Sequence, residues 1–396
     1  MRNTIKLLVV IALFATPSAN ARSDYLATIT PIIGSGSFQP TAISRDGSVV
    51  VGVFPAFRWQ SGNAIQVLQA PPSYGDTYAL GCTANGAVTV GYARSSTYGN
   101  TARTWDATGA LVGALWLGIA SRCSHDGQVI VGYGVRGQYS TGPSFAVRWT
   151  PTSGTQLLPT PAGTVVSSAV GVSGDGGLTV GWIQSPSADS RAVRWLGGEN
   201  YLELWLPPGA TGSAPTGVSD DGTVIIGYVT PPYNTPRGVR WSPDGGGEYF
   251  PAGDIRLAGI NHDGTVVVGS TQGGNNVAVR WTAETGVVNL RQYLQSKGAD
   301  VYGWTSLDQA MDVSADGKVI VGIGTFNGQQ RGFVAFAPLE CPGDLFVDGQ
   351  VNGADLGVLL SQWGSVVPNI VSDINRDGVV NGADLGLLLS NWGLCP

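Results

Sequence analysis

The stretch SRDGSVVVG, residues 44–52, sets an acidic residue and a glycine before a run of valines that ends in a second glycine. An Asx-Gly pair supplies the positive φ angle that a tight hairpin needs, and the valines after it suit a pleated, half-buried strand. The phrase returns as TANGAVTVG (83–91), SHDGQVIVG (124–132), SGDGGLTVG (173–181), SDDGTVIIG (219–227), NHDGTVVVG (261–269) and SADGKVIVG (314–322). Its turn residues, Asp46, Asn85, Asp126, Asp175, Asp221, Asp263 and Asp316, lie 39 to 53 residues apart. After a variable loop, six units give a second strand phrase ending at Trp59, Trp105, Trp149, Trp195, Trp241 or Trp281; the seventh ends at Phe336. A fourth short run comes next, as at residues 64–68 and 155–158.

Four short strands in about 45 residues, repeated seven times, predict a mainly β chain folded as a seven-bladed β-propeller, with an open β-solenoid as the competing fold. The seventh unit stops after its third strand, whereas residues 25–29 offer a spare strand before unit one. Pairing the two ends would close a ring and remove its exposed edges. The recurring Trp residues read as blade-to-blade packing. Arg58, Arg148, Arg194, Arg240 and Arg280 beside them read as partners of a turn carbonyl or acid. Tyr92, Tyr133, Trp182 and Tyr228 follow the Val-Gly strand in four consecutive units. They have two readings: packing, or stacking of sugar rings on one sector of a propeller face. On these phrases residues 40–338 resemble the extracellular bacterial HAF repeats, with Arg before most of the Trp residues as a departure; that resemblance implies fold and location, not chemistry.

The chain opens with Arg2 and Lys6 flanking a short apolar run and Ala19-Asn20-Ala21 as a cleavage site, the pattern of a secretory signal peptide over residues 1–21. No later apolar stretch is long enough for a membrane span. Secreted, extracellular or cell-surface placement is expected, with the periplasm as an alternative. Gly 59 and only 12% charged residues suit a turn-rich β protein. Without Arg2 and Lys6 the net charge of −6 becomes about −8, and no basic patch recommends a nucleic-acid partner.

The tail from Cys341 is different. It carries six Asp and one Arg, and NRDGVVNGAD (375–384) only superficially repeats the opening phrase. An EF-hand calcium loop needs oxygen ligands at positions 1, 3, 5, 7, 9 and 12 with Gly at 6. Asp373, Asn375, Asp377, the Val379 carbonyl, Asn381 and Asp384, with Gly378, fill every position. The same count from Asp46 meets Ala42 and Val53, which cannot coordinate. A second loop, Asp344, Asp348, the Gln350 carbonyl, Asn352 and Asp355, has Phe346 at position 3 and is expected to bind Ca2+ more weakly. After each loop Leu356, Leu359, Leu360 and Trp363, and Leu385, Leu388, Leu389 and Trp392, keep helical spacing, so the two halves are expected to bury these faces on one another. The pattern resembles a type I dockerin over residues 341–396, of the variant found on planctomycete exported proteins. That resemblance implies calcium-dependent docking to a cohesin-like or other cell-surface receptor. Gly353-Ala354 and Gly382-Ala383 replace the usual recognition residues and put a standard cohesin in doubt. The domain reading is thus 1–21 signal peptide, 22–340 propeller, 341–396 dockerin-like domain.

Four cysteines in an exported chain invite disulfides. Cys341 and Cys395 bracket the tail and are expected to clasp it; Cys82 and Cys123, at one position of adjacent repeats, are either an inter-blade bridge or two buried thiols. The two histidines, His125 and His262, show no zinc spacing and no evident third ligand, and no catalytic motif or cofactor other than Ca2+ is read. The favoured expectation is a non-catalytic, calcium-binding propeller that presents a binding surface and attaches through its tail. The alternative is a carbohydrate-active enzyme, a glycosidase or lyase, in extracellular polysaccharide catabolism.

Overall fold

The computed structural model describes residues 27–34, 37–135, 143–186, 189–231, 235–251, 255–273, 276–338, 341, 343–346, 350–365, 372–375 and 379–394. Residues 1–26, which hold the expected signal peptide, lie outside this set. Ala27–Ala337 forms one compact unit, and the segment from Pro338 belongs to another.

In the first unit, β1 is Thr28–Ile32. Blade one holds β2 (Gln39–Ile43), β3 (Val49–Val53), β4 (Phe57–Gln60) and β5 (Gln66–Val67). Then come β6 (Asp76–Cys82), β7 (Val88–Ser95), β8 (Gly99–Asp106) and the long β9 (Leu111–Cys123), whose first half ends blade two and whose second half begins blade three. Blade three continues with β10 (Ile130–Val135), β11 (Ser144–Thr150) and β12 (Gly154–Leu157). Blade four is β13 (Val166–Val172), β14 (Leu178–Gln184), β15 (Arg191–Leu196) and β16 (Asn200–Glu203). Blade five is β17 (Gly212–Val218), β18 (Ile225–Thr230), β19 (Arg237–Trp241) and β20 (Gly247–Tyr249). Blade six is β21 (Ile255–Ile260), β22 (Val267–Thr271), β23 (Ala278–Thr282) and β24 (Gly286–Asn289), followed by helix α1 (Leu290–Ser296). Blade seven is β25 (Trp304–Val313), β26 (Val319–Phe326) and β27 (Gln329–Phe336). Each blade is an antiparallel meander with its first strand innermost.

The ring closes in two ways. β1 pairs antiparallel with β27, Thr28 opposite Phe336, and completes blade seven as its fourth strand. The spare strand therefore lies about three residues later than residues 25–29, and it takes in Pro31, which an outer strand tolerates because one side of its backbone needs no ladder partner. Around the axis, the seven turns also bond to one another. Asp46 N donates to Ala84 O, Ala84 N to His125 O, His125 N to Gly174 O, Gly174 N to Asp220 O, Asp221 N to His262 O, His262 N to Ala315 O, and Ala315 N back to Arg45 O. A closed circle of backbone bonds is incompatible with an open solenoid.

The repeated phrase has a local cause at each position. In the turn, Ser44 Oγ donates to Asp46 Oδ1 at 2.6 Å, and Ser48 N donates to the same oxygen at 3.0 Å. Ser124 with Asp126, Ser173 with Asp175 and Ser219 with Asp221 repeat the bond. Gly47 follows at φ 74, where a Cβ would strain the backbone. The second glycine answers a different demand. All seven inner hairpins slip register by a residue at this level, pressing a first-strand carbonyl onto the glycine. A Cβ on Gly91 would stand 1.9 Å from Tyr78 O, and one on Gly181 2.0 Å from Ser168 O.

The core lies between blades rather than within them. Val129, Val131, Leu158, Ala169, Val193 and Trp195 join blades three and four; Leu178, Val180, Val218, Ile225, Val239 and Trp241 join four and five. Trp105, Trp195 and Trp241 are fully buried, and each indole N–H donates to the link that enters its blade: Gln69 O, Pro159 O and Trp205 O, at 2.7–2.8 Å. The packing reading of these Trp residues holds. Arg58 and Arg148 donate to Gly86 O and Gly176 O of the next turn, Arg194 donates to Pro243 O, and Arg240 pairs with Glu248, as expected of turn carbonyls and acids.

In the second unit, two helices, α2 (Gly353–Ser361) and α3 (Gly382–Ser390), pack through Leu359 and Leu388, with Val351 and Val380 completing a small core. A short pair of strands, β28 (Gln350–Val351) and β29 (Gly393–Leu394), ties the two halves. Cys341 is disulfide-bonded, and its expected partner Cys395 lies outside the described residues. Cys82 and Cys123 are free thiols, not a bridge. Burial pushes the Cys123 thiol up to about 12 and raises Cys82 further.

Candidate functional site

Three places gather chemistry. The first is the tail. Asp355 and Asp384, the expected position-12 ligands, are fully buried at the third residue of each helix. Asp384 Oδ1 accepts the Asn375 N–H at 3.1 Å and Oδ2 the Asn381 N–H at 2.8 Å. Asp355 repeats this with Phe346 N and Asn352 N, both at 2.8 Å. Each carboxylate therefore draws the start of its loop back onto its helix. Asn352 and Asn381 cap the helices through Ala354 N and Ala383 N, and Asn381 Nδ2 also donates to Val379 O. Asp344, Gln350, Asn352, Asp373, Asn375 and Val379 lie among the described residues; Asp348 and Asp377 lie outside them. The expected donor set is all oxygen, with three carboxylates in each loop, which suits a hard cation of the Ca2+ kind.

The helical faces depart from expectation. Leu359 and Leu388 are buried and Leu356 and Leu385 partly so, but Leu360, Trp363, Leu389 and Trp392 are about half exposed. Each helix ends before its Trp, at Gln362 and Asn391, so a spacing that assumed one continuous helix placed these rings wrongly. The result is one exposed Leu-Trp pair on each half.

The second place is the face of the ring formed by the loops between second and third strands. Tyr92, Tyr133, Trp182 and Tyr228 are half-buried in the later halves of the second strands of blades two to five, which run toward this face. Tyr78 and Tyr92 stack with centroids 4.5 Å apart at 6°, and Phe54 stands edge-on to Tyr78 at 6.0 Å. Burial and the neighbouring Tyr78 and Tyr133 push the Tyr92 hydroxyl up to about 12. Two pockets open on this face. One, of about 460 Å3, is lined by Phe54, Tyr78, Gln69 and Asp76 among others; the other, of about 420 Å3, by Trp182, Tyr228, Gln184 and Asp189.

The third place was not anticipated. The chain's only histidines meet one carboxylate at the axis, on the opposite face. Asp220, 6% exposed, has Oδ1 3.0 Å from Arg45 Nε and 3.3 Å from His125 Nε2, with Oδ2 3.7 Å from His262 Nδ1. His125 reaches it across Gly174, where a Cβ would lie 2.5–2.9 Å from the imidazole. Arg45 also donates to Val313 O at 3.1 Å. Asp220 Oδ2 and His125 Nε2 have no hydrogen-bond partner among the described residues. Spacing along the sequence does not place the two histidines beside a shared carboxylate; the fold does. Among the described residues, however, no His, Cys, Asp or Glu trio is arranged to hold a metal ion. The signal was present in the sequence: Arg45, His125, Asp220 and His262 all occupy the second position of the turn phrase, which a closed ring turns toward its axis.

No protein-family model and no curated protein matches the chain. Solved structures do match. Oligogalacturonate lyase from Vibrio parahaemolyticus is similar at TM-score 0.53 and 10% identity, over 78% of this chain and 93% of that one. An oligogalacturonate lyase in complex with manganese gives 0.54 and 13%, with the same coverage. TolB from Acinetobacter baumannii gives 0.42 and 12%, over 79% and 80%. At these identities the likeness shows the propeller fold alone. No helix among the described residues is long and apolar enough to cross a membrane.

Proposed function

We propose that this protein is exported and acts outside the cytoplasm as a non-catalytic propeller that presents a binding face, while its calcium-binding, dockerin-like tail attaches it to a cell-surface receptor. The observation that carries this reading is the duplicated tail. Two oxygen-rich loops are each drawn onto a buried helix-capping aspartate, and each half exposes a Leu-Trp pair. Calcium bound at Asp373, Asn375, Asp377, Val379, Asn381 and Asp384 would fix the loop and so the outward pose of Leu389 and Trp392; the Asp344–Asp355 loop, with Phe346 at its third position, binds more weakly. Apolar pairs on an otherwise acidic tail suit a partner with an apolar groove. The test is fractionation of cells secreting the full chain. Retention at the surface is expected, with release by a calcium chelator and by L389A/W392A; retention indifferent to both would refute the attachment reading.

A second reading is favoured by the axis. A buried carboxylate facing two imidazoles, with the partly exposed His262 3.7 Å from Asp220, brings together groups that acid–base chemistry uses. On that reading the protein is a carbohydrate-active lyase or glycosidase, in line with the lyase likeness. Polysaccharide cleavage lost in H262N would support it.

A further inference from the structure

We infer that the face carrying Tyr92, Tyr133, Trp182 and Tyr228 binds a neutral polysaccharide, at two subsites set in blades one and two and in blades four and five. This deepens the reading that the propeller presents a binding face, and rests on it. Each pocket combines the same three parts: aromatic surface, an amide and an exposed carboxylate. In the first these are Phe54 and Tyr78, Gln69 and Asp76; in the second, Trp182 and Tyr228, Gln184 and Asp189. Sugar rings offer apolar C–H faces to aromatic rings and a rim of hydroxyls to amides and carboxylates, so this combination matches them part for part. Both pockets fall in the range of about 300–1,000 Å3 common to small-ligand sites.

Phe54 makes packing an insufficient account. It is 52% exposed, and its backbone sits at φ 67, in the left-handed region that a bulky residue enters only under strain. Burial does not repay that strain, because half of the residue is exposed. Its ring stands edge-on to Tyr78, which in turn stacks on Tyr92, so three aromatic rings adjoin at this pocket.

Charge selects among polysaccharides. The two linings carry two carboxylates and no Lys or Arg, in a chain of net charge −6. A polyuronate would bring its own carboxylates against Asp76 and Asp189 with no cation in either lining to receive them. The ligand is therefore a neutral, hydroxyl-rich chain and not the polyanion named for the lyases of similar fold. A polymer is favoured over a single sugar because its repeating units can serve both pockets, and the second contact then forms at raised effective concentration.

The test is affinity electrophoresis of the full chain through gels containing xyloglucan, galactomannan or polygalacturonate. Retardation by at least one neutral polymer is expected, and none by polygalacturonate. Phe54→Gly, which suits the left-handed backbone, and Trp182→Ala should each weaken retardation about tenfold, and the double variant more than either alone. Their melting midpoints, read in parallel, separate lost binding from lost fold. Retardation by polygalacturonate alone, by no polymer, or undiminished in both variants overturns the inference. None of those results touches the attachment reading, whose readout is chelator-released surface retention.

Discussion

The propeller turns and the tail loops use nearly the same words, an acid, a glycine and valines, and do opposite things with them. In SRDGSVVVG the Asp46 oxygen is consumed within the turn by the Ser44 hydroxyl and the Ser48 N–H and hydroxyl. The valines beyond it form a buried strand with no side-chain oxygen to spare. In the tail, Asp384 lies nine residues after Asn375 and accepts its N–H, so a buried carboxylate is bonded back to the loop before it. The same phrase thus closes a self-contained turn in the propeller, whereas in the tail it stands in a loop bonded to a buried aspartate nine residues on.

The second glycine of the phrase is the position where the propeller tolerates least change. Gly181→Ala sets a Cβ 2.0 Å from Ser168 O with no soft neighbour to yield. A loss above about 4 kcal/mol is expected, seen as propeller unfolding in denaturant titration, while the tail helices keep their signal. Trp195→Ala removes a fully buried ring and its bond to Pro159 O, and should cost the propeller about 3–5 kcal/mol by the same measurement. Asp384→Ala acts on the tail alone. It removes the acceptor of the Asn375 and Asn381 N–H groups, at a cost of about 1–3 kcal/mol, and it should abolish calcium-dependent stabilisation in calorimetry. Asp175→Ala is the mirror case: about 1 kcal/mol lost from the propeller, with calcium affinity unchanged.

Acid titration sharpens the contrast further, with a smaller effect. The hydroxyl and N–H donors of Ser173 and Gly177 hold Asp175 below the usual carboxylate range, and Ser124 and Gln128 do so for Asp126. In Asp46 burial pushes upward, yet the bonds from Ser44 and Ser48 carry it below its ordinary value. A depressed folded pKa means stability that is full above the unfolded value near 4 and drains away as pH falls through the folded one. The propeller midpoint should thus stay level from pH 7 to about 5 and fall below pH 4, less steeply in Asp175→Ala.

Periodicity made the ring legible. Seven copies of one phrase, a missing fourth strand at one end and a spare strand at the other were enough to anticipate closure. The structure shifted that spare strand from residues 25–29 to Thr28–Ile32. What stayed hidden depended on seeing across repeats. Arg45, His125, Asp220 and His262 are far apart along the chain and become neighbours only when their shared repeat position is rotated around an axis. The exposed Trp363 and Trp392 were hidden by the opposite error, a helical period extended past the last helical residue.

The most direct measurement of the central claim is calorimetry of the full chain with calcium and with chelator. Two transitions are expected, with calcium raising the tail midpoint and leaving the propeller midpoint in place, and with the rise absent in Asp384→Ala. A calcium shift in the propeller transition, or none in either, would contradict it.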